Sequence, residues 1–369
     1  MHDPFRAQKK SLELFSFCIL CALAAASPCA PCQSGDQAGG SLTKESSDLI
    51  ACSRQIEMVE AKPDAMVAAL NRRGLVYKDR GELDCALREF GRAIELKPEA
   101  AEPYNNRALV LREKGEIDRA MEDLNRAIEL KPDFAEAFNN RGNVYLAKKQ
   151  LDRAIEDYDK ALILRPDYAE AYSDRGGAYA REGDLARAVR DYDQAIRLKP
   201  DFAEAHYNRG VAWLRYGEYD NAIAEFDQTI SARPQFAEAY NNRGTAFSAE
   251  RKQLRAVEDF SEAIRIRPDY AEAYYNRAMA LYALEERDRA MQDLDEAIRV
   301  RPNYPEAFNS RGSVHAERGE FDLAIRDFDA ALRLMPDYTN ALRNRARAYL
   351  QRGGRESIAE VSSKTPGEE

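Results

Sequence analysis

An all-α solenoid of tandem two-helix units is the fold this sequence predicts, and two observations predict it. Prolines recur at Pro98, Pro132, Pro166, Pro200, Pro234, Pro268, Pro302 and Pro336, each 34 residues after the last. A fixed period of that length marks a stack of like supersecondary units. With position 1 set three residues after each proline, apolar or small residues fall at positions 4, 8 and 11, then at 20, 24 and 27, which is helical spacing twice over. A stack of this kind offers an extended surface, so binding rather than chemistry is the first expectation.

The elements follow in order. Basic Arg6, Lys9 and Lys10 precede a run from Leu14 to Ala26 that is apolar apart from Ser16, and the small residues Ala24 to Ala26 stand before Ser27. Residues 1–26 therefore read as a secretory signal peptide cleaved after Ala26, which implies export to a periplasm or cell surface. Thirteen residues are short for a bilayer span; an uncleaved N-terminal membrane anchor is the alternative. Residues 27–47 read as a flexible linker, 48–66 as a degenerate capping helix, 67–338 as eight tandem units and 339–352 as a C-terminal capping helix. In that last helix Leu342, Ala346 and Tyr349 stay in register and Arg343, Arg345 and Arg347 suit a polar end; 353–369 reads as a disordered tail. Cys52 and Cys85 fall on successive second helices. In an oxidising compartment a disulfide between them would lock the first helix onto the array, and two buried free thiols are the alternative.

Inside a unit each row has a physical role. Position 8 is small (Gly74, Ala108, Gly142, Gly176, Gly210, Gly244, Ala278, Gly312) and position 20 is alanine from Ala86 to Ala324, which lets two helix backbones approach. Position 24 is bulky: Phe90, Leu124, Tyr158, Tyr192, Phe226, Phe260, Leu294, Phe328. Trp213, at position 11, reads as core. Gly81, Gly115, Gly183, Gly217 and Gly319 mark the turn at position 15, where a left-handed residue is expected; Lys149, Arg251 and Glu285 replace it and would each cost up to about 1 kcal/mol there. Each proline ends the second helix. Asp133 with Glu136, Asp167 with Glu170, Asp201 with Glu204 and Asp269 with Glu272 have the spacing of capping boxes. Position 7 is arginine throughout, from Arg73 to Arg345, and position 23 is acidic from Glu89 to Asp327, which predicts a ladder of ion pairs across each hairpin, bidentate where geometry permits, with an anion-binding row as the alternative.

Unit for unit this pattern, as in AEAYNNRGTAFSAERKQLRAVEDFSEAIRIRP (Ala237 to Pro268), resembles the tetratricopeptide repeat (TPR) family. The resemblance implies a right-handed superhelical solenoid of helix-turn-helix units whose first helices line a concave groove. Position 6 then becomes the row of interest: Asn106, Asn140, Asn208, Asn242, Asn276 and Asn344. It resembles the asparagine row in the TPR region of O-GlcNAc transferase, and the resemblance implies that such amides clamp the backbone of an extended peptide. A carboxamide both donates and accepts, so it can pair with a peptide group of any sequence. Tyr207 and Tyr275 at position 5 add adaptable peptide-binding surface. Asparagines tied to their own scaffold are the alternative. Groove lysines of a carboxylate clamp are absent at position 5.

Composition narrows the function further. The chain of 369 residues carries a formal net charge of -9, and its Lys and Arg alternate with Asp and Glu, which argues against a nucleic-acid partner. No GxSxG, phosphate-binding loop, HExxH or paired CxxC pattern occurs. His206 and His315 each occupy a packing position. The sequence therefore predicts a non-enzymatic scaffold that needs no cofactor or metal, takes no small-molecule substrate and binds extended segments of other proteins. Self-assembly, end to end or through the convex face, is the alternative.

Overall fold

The computed structural model describes residues 63–363, and within them every regular element is helical. The chain divides after Pro166 into two compact bodies, each taken by itself. The first holds three hairpins: α1 (Pro63–Asp79) with α2 (Leu83–Leu96), α3 (Ala101–Glu113) with α4 (Ile117–Leu130), and α5 (Ala135–Ala147) with α6 (Leu151–Leu164). The second holds α7 (Ala169–Glu182) with α8 (Leu185–Leu198), α9 (Ala203–Tyr216) with α10 (Tyr219–Ala232), α11 (Ala237–Ala249) with α12 (Gln253–Ile266), α13 (Ala271–Ala283) with α14 (Arg287–Val300), and α15 (Pro305–Glu317) with α16 (Phe321–Leu334). A last helix, α17 (Thr339–Ser363), packs on α16. Within each body, helices also pack on those of the next hairpin, as neighbours in a solenoid do.

The small residue at position 8 has a sharper purpose than backbone approach. In each glycine-bearing hairpin the ring at position 24 stands against that glycine: a Cβ on Gly142 would stand 2.6 Å from the Tyr158 ring, and one on Gly244 2.8 Å from Phe260. Where position 8 is alanine, at Ala108 and Ala278, position 24 is leucine, at Leu124 and Leu294, and both partners remain buried. Position 8 therefore sets the side chain its partner helix must carry, because cores pack at near-crystal density. The alanines at position 20 are fully buried in every hairpin.

Turns and ends obey backbone rules. The five turn glycines have φ between 74° and 95°, and Lys149, Arg251 and Glu285 adopt φ of 59°, 62° and 64° in the same place. Each second helix stops at the residue before the proline, with Lys131 at φ −139°, ψ 88° and Lys199 at φ −139°, ψ 87°, because the proline ring pushes its predecessor out of the helical region.

The expected capping boxes do not form. α5, α7, α9 and α13 begin after Phe134, Tyr168, Phe202 and Tyr270, one residue past each aspartate, without a side-chain cap. Phe134 is drawn inward into the cluster of Leu111 and Leu124, and Tyr168, Phe202 and Tyr270 are half-buried; a turn hydrogen bond (Phe134 N–H to Lys131 C=O, 3.1 Å) fixes the first of them there. Burial of the ring, at about 1.5–3 kcal/mol, outweighs a cap at about 1 kcal/mol. Glu136, Glu170 and Glu204 turn to the residue before the closing proline instead: Glu136 to Arg165, Glu170 to Lys199 at 3.4 Å and Glu204 to Arg233 at 2.5 Å. Two further expectations change. Trp213 is half-buried and tilted against exposed Tyr216 at 5.8 Å, not core. α17 runs straight through Gly353 and Gly354 to Ser363, past the predicted end at 352. The predicted signal peptide, linker and first capping helix up to residue 62 lie outside the described residues.

Candidate functional site

Two polar rows run along the first helices. The arginine row behaves as predicted. Arg141 donates from Nε and Nη2 to Asp157 at 2.7 and 2.9 Å, and Arg277 to Asp293 at 2.8 and 2.7 Å. The same two-point pair recurs in the hairpins of Arg107, Arg175, Arg243 and Arg311. Hydrogen bonding to the carboxylate raises the pKa of Arg107, Arg141 and Arg277 against the opposing effect of burial.

The sequence reading missed a further bond that Arg141, Arg243, Arg277, Arg311 and Arg345 make. Nη1 reaches position 25 of the preceding hairpin: Arg141 to Asn125 at 2.9 Å, Arg243 to Asp227 at 2.5 Å, Arg277 to Ser261 at 3.0 Å, Arg311 to Asp295 at 2.7 Å, and Arg345 to Asp329 at 2.7 Å. In Arg141, Arg243, Arg277 and Arg311 one guanidinium thus closes its own hairpin and ties it to the one before.

The asparagine row is likewise tied to its neighbours. Position 6 donates from Nδ2 to position 5 of the preceding unit: Asn106 to Asn71 at 3.0 Å, Asn140 to Asn105 at 2.8 Å, Asn276 to Asn241 at 3.0 Å and Asn344 to Asn309 at 3.0 Å. Asn242 donates to the Tyr207 hydroxyl at 3.0 Å. Asn105 donates back to Asn106 at 3.1 Å and Asn241 to Asn242 at 3.3 Å, so amides form continuous chains. At position 5, Asn105, Asn139, Asn241 and Asn309 are buried and Asn71 and Tyr207 are half-buried; the position-6 residues are half-buried, Asn208 among them. Tyr207 is wedged against Phe236 at 4.8 Å and Phe226 at 6.0 Å, and burial raises its pKa. Tyr275 meets Tyr304 at 5.2 Å.

His206 is buried and fully engaged: Nδ1 lies 2.8 Å from Glu225, which also accepts from Arg209 at 2.6 Å, and Nε2 lies 3.0 Å from the Pro200 carbonyl. In α3 the Tyr104 hydroxyl donates to the matching Pro98 carbonyl at 3.2 Å, so His206 takes a tyrosine's structural place. Among the described residues no cluster of His, Cys, Asp and Glu could hold a metal ion, and no helix is long and apolar enough to cross a membrane. The Cys85 sulfur is in a disulfide; every other cysteine, including Cys52, lies outside the described residues.

Comparison with known proteins meets this geometry at the repeat. A "TPR repeat" family model matches residues 74–111, 108–149, 142–183, 176–215 and 254–285, and a "Tetratricopeptide repeat" model matches 275–337 and 309–355. No curated protein sequence matches the chain. Among solved structures, a chain of the APC/C hetero-tetramer Cut9-Hcn1 is similar at 18% identity and TM-score 0.60, over 81% of this chain and 58% of that one; the present chain thus spans less than two thirds of that relative. YrrB, described as a TPR protein with an unusual peptide-binding site, is 28% identical over 53% of this chain and 97% of its own, with TM-score 0.41. A tetratricopeptide repeat protein from Parabacteroides merdae is 22% identical over 64% and 93%, with TM-score 0.49. Matched repeat by repeat, and folded as a helical solenoid of paired helices, this chain belongs to the tetratricopeptide repeat family, whose fold generally serves as a scaffold that binds other proteins.

Proposed function

We propose that the chain is a non-catalytic adaptor that holds extended peptide segments of partner proteins along the first-helix groove, in a bacterial envelope. The amide chains carry the reading. Each position-6 bond spends one N–H of Asn106, Asn140, Asn242 or Asn276 on the neighbouring repeat. The amide keeps a second N–H and further acceptor capacity, now held in one orientation on a half-buried side chain. A row of pre-oriented amides at repeat spacing suits a peptide backbone and discriminates little between side chains; pre-orientation lowers the entropy cost of binding. Tyr207 and Tyr275 supply rigid apolar surface beside it.

The test replaces Asn140, Asn208, Asn242 and Asn276 with alanine together and places a photo-crosslinker at Tyr275 in the otherwise wild-type chain. The crosslinker should join an unstructured segment of a partner, and the fourfold variant should lose that partner while keeping its helical circular dichroism. Undiminished capture by a folded fourfold variant would remove the groove reading.

A further inference from the structure

The most exposed apolar face of the second body lies on α17. Leu342 and Tyr349 are 41% and 45% exposed and Ala346 between them is exposed too, whereas in α13 Ala278 and Leu281, which match Ala346 and Tyr349, are 0% and 1% exposed and Tyr274, which matches Leu342, is half-buried. Those α13 residues are covered by α14, the second helix of their own hairpin. α17 continues straight to Ser363 where the other first helices turn, so no second helix folds back on it among the described residues.

Arg345 states the charge of what belongs there. Its Nη1 bonds Asp329 of the preceding hairpin, as in other repeats. In Arg277 and Arg311 the Nε–Nη2 edge grips an aspartate on the second helix of the same hairpin. Arg345 presents that same edge with no carboxylate against it among the described residues. Position 8 states the size: glycine receives an aromatic ring and alanine receives leucine, as in Ala108 with Leu124 and Ala278 with Leu294. Position 8 of α17 is Ala346.

We propose that this face docks an amphipathic helix of a partner protein with the pattern small-x-x-acidic-Leu-x-x-small. Its carboxylate closes the two-point pair with Arg345, its leucine lies over Ala346, and its small residues let the backbones approach. Among the described residues the chain's own helices of this pattern are committed, since Asp123 and Asp293 are buried in bonds to Arg107 and Arg277. The described residues of a second copy therefore have none to offer without opening a hairpin. This docking uses a surface separate from the amide rows.

The probe is a helix-stapled peptide of residues 287–300, which carries Ala290, Asp293, Leu294 and Ala297, titrated against the full chain by fluorescence anisotropy. Binding should weaken about 10-fold or more with Asp293→Asn in the peptide or Arg345→Met in the protein. It should vanish with Leu342→Asp plus Tyr349→Asp, exposed sites whose change leaves the thermal melt in place. Leu294→Phe in the peptide should weaken binding to the wild type and regain it on the Ala346→Gly protein. The proposal is overturned if the peptide does not bind, or binds a folded Leu342→Asp/Tyr349→Asp variant unchanged. Sedimentation showing self-association that this variant abolishes would also overturn it, assigning the face to a second copy.

Discussion

Gly142 and Tyr158 show how much specificity one residue pair carries. With a Cβ predicted 2.6 Å from the ring, Gly142→Ala should destabilise the chain by about 1–3 kcal/mol in urea unfolding. Tyr158→Leu alone also destabilises, through the cavity it leaves and the lost hydroxyl bond to Asn143 at 2.7 Å. Together they recreate the Ala–Leu pair found in two other hairpins, so the double variant should be more stable than the sum of the singles by about 1 kcal/mol or more. Strict additivity would show that position 8 does not select its partner. His206 makes a second residue-scale prediction. Its hydrogen bond to Glu225 raises its pKa above the ordinary 6.5, against the effect of burial. A group with a raised folded pKa gives stability that is complete below 6.5 and lost as pH climbs through the folded value. Thermal stability should therefore fall as pH rises above 6.5, and His206→Tyr, which restores the residue type of Tyr104, should flatten that fall. A wild-type profile as flat as the variant's would refute the ion pair.

At the scale of the element, competition between local signals decided the outcome. Pro–Asp–aromatic followed by glutamate spells a helix cap in sequence terms, yet burial of the aromatic moved the helix start by one residue. Glu136, Glu170 and Glu204 then became ties to the far end of their own hairpin. The turn tells the opposite story: Lys149, Arg251 and Glu285 hold left-handed backbone without glycine, so hairpin packing overrides a local cost of up to about 1 kcal/mol. Helix rows, turns and proline stops were legible because each depends on residues close in sequence or repeated at a fixed interval. The position-25 acceptors were not, because asparagine, serine and aspartate share the row and no single residue type announces it. Their common signal is a side-chain oxygen, which could have been sought.

For the whole molecule, arginines such as Arg141 and Arg277 each serve two hairpins, so stability grows by neighbour terms along each body. The exported location rests on residues 1–26 and joins the disulfide as a prediction at this scale. Protein recovered from a bacterial periplasm should begin at Ser27 and contain a Cys52–Cys85 link by mass spectrometry after non-reducing digestion. Free thiols at both positions would refute the link, and an intact N-terminus retained in the membrane would refute cleavage.

By itself the sequence determined the repeat length, the eight hairpins, the packing rows and the arginine–carboxylate ladder, because identical units in register leave one consistent arrangement. Only the tertiary structure decided what the amides of position 6 hold. Their partners lie 35 residues away on the preceding repeat, and a side chain with equal numbers of donors and acceptors does not declare its direction until the neighbouring helix is in place. The same holds for α17: its residues match a first helix position by position, and whether a second helix covers them depends on a turn that the chain there does not make.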